Sequence, residues 1–393
     1  MPLAESMPLK IGYLVPQFPG QTHIFFWREI AEIEKRGVQV RIFSTRPPPQ
    51  GLIAHDWSAE AMAQTSYLGK IKPLAAFTAL TAAPWGQASA KDILLSLSAA
   101  RQLVAACRAE GIAHVHVHSC GRAALIAAMA QRLGGPDYSL TLHGPLSDYG
   151  TGQRFKWRGA RFATIITEKL LAEVRAELGG DLPDRLIIQP MGVDTDTLRR
   201  DAPYVPYDPG KTLRLFTCGR LNIVKGHQDL MAAVRSLIDQ GQPVTLDIAG
   251  EDDAGGTGYR RVLAARIAEL GLDSHVHLLG AIDADAVKQR LLAAHIFVLA
   301  SWHEPLGVAL MEAMSCEVPT IGTAAGGVAE LITDGVDGIL VPPKDPALLA
   351  SAILQLTRDP ARAIALGQAG RARIVSHFHA GLGAETLIRE ILG

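Results

Sequence analysis

Short apolar runs alternate with helix-patterned segments along this chain, and the alternation runs its course twice. Lys10 to Pro16 reads as a strand, Phe25 to Lys35 as a helix and Val38 to Phe43 as a second strand. Strand, helix, strand at this spacing starts a parallel sheet, because parallel neighbours need a crossover connection. Further strands are expected at Ala113 to His118, Tyr138 to Leu142, Ala163 to Thr167 and Leu186 to Gln189, with helices at Gly121 to Arg132 and Glu168 to Leu178. The segment 201–212 holds three prolines and little periodicity, as a linker would. Beyond it, strands are expected at Leu213 to Cys218, Val244 to Ala249, His275 to Leu279, Ile296 to Ala300, Thr320 to Gly322 and Gly338 to Val341.

At 393 residues the chain exceeds one ordinary core and suits two α/β domains. We expect a first Rossmann-like domain over 1–200, a linker over 201–212, a second over 213–375, and a final helix, 376–393, that returns to the first domain. The formal net charge of -1 argues against nucleic acid as a partner. Charge is split unevenly, however: residues 1–200 hold 22 Lys and Arg against 17 Asp and Glu, and residues 201–393 hold 16 against 22. Cys107, Cys120, Cys218 and Cys316 are scattered in apolar surroundings and read as buried free thiols. The N-terminus runs into a strand without a charged-then-apolar leader, and Pro73 to Pro84 is too short to span a bilayer. The expected location is cytoplasmic, with peripheral attachment at the inner face of the cell membrane.

Chemistry concentrates in two segments of the second half. In Ser301-Trp-His-Glu-Pro-Leu-Gly-Val-Ala-Leu-Met-Glu312 a strand end turns through Pro and Gly into a helix. Helix N-terminal amides favour phosphate, and a carboxylate two turns on can accept hydrogen bonds from the vicinal hydroxyls of a ribose. The loop Gly219-Arg-Leu-Asn-Ile-Val-Lys225-Gly226 follows the first strand of the second half. It sets Arg220 and Lys225 at a carboxyl strand end, where open α/β sheets bind ligands and two cations can meet a diphosphate.

Together these segments resemble the retaining nucleotide-sugar-dependent glycosyltransferases of family four (glycosyl transferases group 1), including members of the exopolysaccharide and glycolipid type. Gly326-Gly327-Val-Ala-Glu330 and Asp337-Gly338-Ile-Leu-Val341 also match, as do, more weakly, Pro16-Gln-Phe-Pro-Gly20, His114-Val-His-Val-His118, His143-Gly144 and Gly192-Val-Asp194. The resemblance implies the α/β GT-B fold, two doubly wound Rossmann-like domains facing a cleft. It implies that Glu312 binds ribose, that Arg220 and Lys225 hold the diphosphate, and that Glu304 lies near the donor sugar. The amides of Leu306, Gly307 and Val308 would meet the distal phosphate and sugar hydroxyls, and His143 would face the donor sugar. A strand-end histidine bonded to backbone is the other reading of His143.

The implied reaction moves a hexosyl group from a nucleotide diphosphate sugar, expected to be a UDP-sugar, to a lipid-linked, glycolipid or polysaccharide acceptor. No cofactor or metal is expected. Asp194-Thr-Asp196 and Asp283-Ala-Asp285 fit a metal-binding D-x-D pattern but read as a turn and a helix cap. Gly255-Gly-Thr-Gly258 lacks a dinucleotide spacing and reads as a surface turn. Two departures from the family pattern stand out: Gln21-Thr22-His23 follows a single Gly20, and Glu251-Asp-Asp253 follows Gly250. Aromatics beside cations at Phe25-Phe26-Trp27-Arg28 and Arg154 to Phe162 suggest docking on an anionic membrane, the other reading being a core helix face for the first and a solvated turn for the second. The alternatives are transfer to a small soluble acceptor and a noncatalytic nucleotide-sugar-binding protein. A dehydrogenase is disfavoured because the first strand leads into Pro-Gln-Phe-Pro-Gly rather than a three-glycine loop.

Overall fold

A computed structural model describes residues 9–20, 24–48, 57–252 and 258–393. The loop Gln21-Thr22-His23, Asp253 and most of the Gly255 turn lie outside the described residues. The chain divides into two compact units. One runs to Pro48, resumes at Trp57–Pro190 and takes in Gly381–Gly393; the other holds Met191–Ala380.

The first unit is built on strands β1 (Lys10–Val15), β2 (Gln39–Ser44), β3 (Thr65–Tyr67), β4 (His114–Val117), β5 (Asp137–Leu142), β6 (Ala163–Ile165) and β7 (Leu186–Ile188). They form one parallel sheet in the order β3-β2-β1-β4-β5-β6-β7. Its helices are α1 (Ile24–Lys35), α2 (Ser58–Gln64), α3 (Pro73–Thr78), α4 (Ala90–Glu110), α5 (Arg122–Arg132), α6 (Gln153–Arg158) and α7 (Glu168–Leu178). Helices on the faces of a parallel sheet bury its central strands on both sides; β1 reads as a near-continuous apolar run, while β4 and β5 intersperse His, Ser and Thr. Tyr13, Leu14, Val115, Val117, Leu140 and Leu142 are accordingly sealed from solvent.

The second unit has strands β8 (Leu213–Cys218), β9 (Val244–Ala249), β10 (Val276–Gly280), β11 (Ile296–Leu299), β12 (Thr320–Thr323) and β13 (Ile339–Val341), parallel in the order β10-β9-β8-β11-β12-β13. Helices α8 (His227–Asp239), α9 (Tyr259–Glu269), α10 (Ala284–Ala293), α11 (Val308–Ser315), α12 (Val328–Leu331), α13 (Pro346–Arg358) and α14 (Pro360–His377) connect and flank them. A last helix, α15 (Ala380–Leu392), packs from Gly381 onward with the first unit. It is tied there by Arg185 to Glu390 at 2.6 Å, by Arg161 donating to the Ile391 carbonyl at 3.1 Å, and by Thr386 donating to Gln189 at 2.8 Å.

The units meet the chain at 190/191 and 380/381, away from the expected breaks at 200, 212 and 375. The reason is local anchoring of residues 191–212. Val193 pairs with His379, the Leu198 carbonyl accepts from Ser315 and Arg371, and the buried Tyr204 hydroxyl donates to the His295 carbonyl at 2.6 Å. The proline-rich stretch is thus packed on the second unit, with Tyr204 and Tyr207 in its core.

Of the two aromatic clusters expected to meet a membrane, the second turns its rings inward, and the first buries Phe26 while Phe25, Trp27 and Arg28 are half-buried. Phe26, Phe155, Trp157 and Phe162 are buried. Lys156 is buried too, donating to the Tyr149 carbonyl at 3.0 Å, and desolvation pulls its ammonium down to about 8. Arg154 and Arg158 are held by Asp181, at 2.9 and 2.5 Å. One carboxylate thus orients both guanidinium groups, which stay at the surface. Among the described residues no helix is long and apolar enough to cross a membrane.

Candidate active site

In the second unit the strand order reverses between β8 and β11. At such a switch point the two following loops diverge and leave a ligand crevice outside the carboxyl strand ends. Both motif segments sit there. The Gly219 to Gly226 loop leaves β8, and Ser301 to Gly307 leaves β11 for the N-terminus of α11.

These loops are joined. Lys225 Nζ lies 2.6 Å from Glu304 Oε2, and Ser301 Oγ donates to the same oxygen at 3.1 Å. The Trp302 amide donates to the Val224 carbonyl at 2.7 Å, and the Trp302 indole donates to Asp229. Lys344 places its ammonium 4.4 Å from the Trp302 ring centre. Gly226 lets the loop come close: its φ is +66°, and a Cβ there would stand 1.9 Å from the Ala300 carbonyl oxygen. Glu304 is buried, whereas Arg220 is exposed.

Glu304 is fixed by its backbone as well. Its carbonyl accepts from the Gly327 amide at 2.9 Å, so the Gly326-Gly327 motif serves to seat this carboxylate. Leu306 and Gly307 are buried, and Gly307, at φ +102°, is the N-cap of α11. The first amides of that helix have no intrahelical acceptor and carry its positive dipole end. Glu312, half-buried on α11, is close enough to Cys218 at the end of β8 to help burial push that thiol up to about 12. It thereby joins the same strand ends as Lys225 and Glu304.

Three buried polar atoms in this region, Thr217 Oγ1, Asn222 Oδ1 and His227 Nε2, have no protein hydrogen-bond partner. Buried polar groups normally find one, so their grouping around the Gly219 loop marks a place where a polar ligand or water belongs. Asp194 and Asp283 do structural work. The first accepts from the Asp196 and Thr197 amides, each at 3.0 Å, and the second caps α10 through the Ala286 amide at 2.7 Å. Asp337 likewise accepts from the Thr333 amide at 2.8 Å and closes a turn.

In the first unit His143 follows β5 and is half-buried. Its Nε2 lies 3.1 Å from His118 Nδ1, and the rings stack at 5.4 Å. Behind His118 stands Glu29 of α1, whose Oε2 accepts from Tyr13 Oη at 2.6 Å and lies 2.9 Å from His118 Nε2, off the hydrogen-bonding axis. His116 continues the polar seam to Ser139 and Thr141, each at 2.7 Å. Alternation puts His114, His116 and His118 on one face of β4. That spacing was the available signal for the seam, but nothing local in the sequence joins Glu29 or Tyr13 to it. Ser301, Trp302 and Asn222 were likewise invisible as site residues, because their partners lie on other loops.

The seam has a consequence for acid stability. Burial lowers His114 and His227 to about 4 and pulls His116 and His118 well below the ordinary value. Groups with folded values below their unfolded ones contribute stability above about pH 6.5 that is lost as pH falls, because only the unfolded chain takes up the proton. At pH 5.5 each such histidine removes about 1 kcal/mol. Glu29 acts in the opposite sense, since burial raises its carboxyl and the folded state takes up that proton readily. The net expectation is a melting temperature several degrees lower at pH 5.5 than at pH 7, read by circular dichroism. Equal values would show that these imidazoles are not neutral in the fold.

A doubly wound α/β unit with a cation-bearing loop and a helix N-terminus at its switch point defines the class, and comparison with known proteins supplies the family. Residues 207–373 match the family model described as glycosyl transferases group 1, and residues 23–188 match a glycosyl transferase 4-like domain. The 2-deoxystreptamine glucosyltransferase of Streptomyces kanamyceticus is 27% identical over 291 residues, which cover 67% of this chain and 73% of that protein. A D-inositol 3-phosphate glycosyltransferase of Pseudarthrobacter chlorophenolicus is 32% identical over 55% of this chain, and the match spans about half, 52%, of that relative. Among solved structures, HepE from Anabaena in complex with UDP-glucose superposes with a TM-score of 0.76 at 19% identity, covering 98% of this chain and 99% of that one. This chain belongs to the group 1 glycosyltransferases and has the GT-B fold. Glycosyl transfer is the activity that the family model and the curated relatives describe.

Proposed function

We propose that the protein moves a hexosyl group from a UDP-sugar to a lipid-linked, glycolipid or polysaccharide acceptor, with retention of anomeric configuration. The observation that carries the donor side is the Lys225–Glu304 pair, which joins the two loops of the switch point beside the start of α11. Breaking the anomeric C–O bond puts positive charge on the sugar and negative charge on the departing diphosphate. In this reading Arg220, Lys225 and the amides of Leu306, Gly307 and Val308 meet the diphosphate and sugar hydroxyls, so that fixed cations and dipoles stabilise the leaving group. Glu312 accepts from the ribose hydroxyls. Glu304 holds the Lys225 ammonium in place and lies beside the transferred sugar.

The donor's own phosphate oxygen takes the acceptor proton as the acceptor attacks the same face, so no carboxylate nucleophile is required. We read the reaction as metal-independent, because cations of the chain supply the charge that a divalent ion would otherwise supply. A second reading, transfer to a small soluble acceptor, is favoured by the activities of the inositol phosphate and deoxystreptamine relatives. The third is a noncatalytic nucleotide-sugar-binding protein.

Incubation with UDP-, GDP- and ADP-hexoses without acceptor, with and without a chelator, separates these readings. Slow release of UDP from a UDP-hexose, unchanged by chelation, is the expected result. Preference for another nucleotide would overturn the UDP assignment, and loss of turnover on chelation the metal-independent one. Tight binding without turnover would favour the noncatalytic protein.

A further inference from the structure

Helix α3, Pro-Leu-Ala-Ala-Phe-Thr, is apolar in every turn, has no charged residue, and buries none of its side chains. Leu74 is 76% exposed, Phe77 71% and the preceding Ile71 66%. An apolar helix normally lies inside a protein or against lipid. α3 is fixed in place: the Lys72 amide donates to Ser98 Oγ of α4 at 2.8 Å, and the Lys70 carbonyl accepts from Gln102 at 2.9 Å. Trp85 in the following loop and Leu94 on α4 are also exposed.

The charges of this stretch are mostly positive. Lys70 and Lys72 precede α3, and Lys91 opens α4; all three are exposed. The one acidic residue between Gly69 and Leu95, Asp92, is engaged by Arg122 at 3.1 Å and by Ser89 at 2.8 Å. Apolar side chains with an aromatic ring, flanked by lysines, match the acyl boundary and headgroup phosphates of an anionic bilayer. A protein partner would have no such need for uncompensated cations. We propose that α3 and the start of α4 dock the protein on the surface of an anionic membrane, with Ile71, Leu74 and Phe77 inserted and Lys70, Lys72 and Lys91 on lipid phosphates. The inference deepens the lipid-acceptor reading and rests on it for its use. Its evidence is separate, because none of these residues belongs to the donor site.

Sedimentation with vesicles of phosphatidylcholine containing anionic phosphatidylglycerol tests it. The whole protein should co-sediment at low salt, and much less at high salt or with phosphatidylcholine alone. Replacing the lysines together (K70Q/K72Q/K91Q) should weaken binding about a hundredfold, at about fivefold per lysine. Leu74→Ser with Phe77→Ser should weaken it about tenfold or more. Brominated acyl chains should quench wild-type fluorescence more than that of Trp85→Phe. No co-sedimentation at low salt, or unchanged binding in both sets of variants, would overturn the proposal. So would an apolar variant that instead dissociates a dimer of the wild type. Should the apolar pair disturb folding, the lysine variant still decides. Donor hydrolysis without lipid should be unchanged in every variant. If hydrolysis is absent throughout while vesicle binding persists, the transferase reading fails and the docking surface stands.

Discussion

Lys225→Ala should lower kcat by about 10²–10³. One fixed cation facing the charge that develops on a leaving group is commonly worth that much, and the Glu304 carboxylate holds the Lys225 ammonium in place. The same change leaves the buried Glu304 carboxylate with the Ser301 hydroxyl at 3.1 Å in place of its ammonium partner. Removing one member of a largely buried pair is destabilising, here by about 1–3 kcal/mol since both side chains keep some solvent access. Lys225→Arg would keep the charge but lengthen the arm and fan its donors, so partial activity is expected. Steady-state kinetics, with circular dichroism to establish folding, check the prediction. Unchanged turnover would remove Lys225 from the diphosphate.

Gly326→Ala should be more damaging than its distance from any reacting atom suggests. The residue sits at φ +71°, and a Cβ there would be 2.0 Å from the Glu304 carbonyl oxygen. Left-handed backbone costs alanine about 1–2 kcal/mol. The overlap is with backbone, so it cannot be relieved by a side-chain rotation and must displace the Glu304 loop or the Gly327 amide that binds it. A loss of about 3–5 kcal/mol is expected, which for a unit of this size is roughly 6–20 °C in melting temperature. Donor turnover should fall with it, because the displaced carbonyl belongs to the residue that holds Lys225. A variant that melts like wild type would show that this loop is softer than its packing implies.

Much of the architecture was legible because parallel strands buried on both faces leave a clear mark. Leu213–Cys218 and Val244–Ala249 are short β-prone segments, largely apolar and bounded by turn residues, and they fold as read. The span from Trp57 to Glu110 was not legible. β3 is three residues long, Thr-Ser-Tyr, and is a strand only because β2 pairs with it. α4 buries Ser96 and Ser98 among its apolar residues, which blurs the helical period. The 201–212 segment misled for another reason: its prolines are real turn signals, but Tyr204 and Tyr207 find long-range partners that no local pattern announces.

The candidate site divides in the same way. Arg220, Lys225, Glu304 and Glu312 were visible as motif residues, since loops at strand ends and helix starts carry local signatures. That Lys225 and Glu304, 79 positions apart, would share a hydrogen bond follows from the crossover that sets β11 beside β8. Sequence spacing does not contain that information. The cluster from Arg154 to Phe162 misled because adjacency in sequence cannot separate rings that pack inward, such as Trp157, from rings that face solvent, such as Phe77.

The central claim is that Lys225 and Glu312 hold different parts of one nucleotide diphosphate. Calorimetric titration of wild type, Lys225→Ala and Glu312→Ala with UDP and with uridine tests it most directly. The account predicts that Glu312→Ala weakens both ligands by about tenfold, as loss of a charge-assisted ribose contact requires, and that Lys225→Ala weakens UDP but leaves uridine unchanged. Wild-type affinity for UDP in both variants would contradict it.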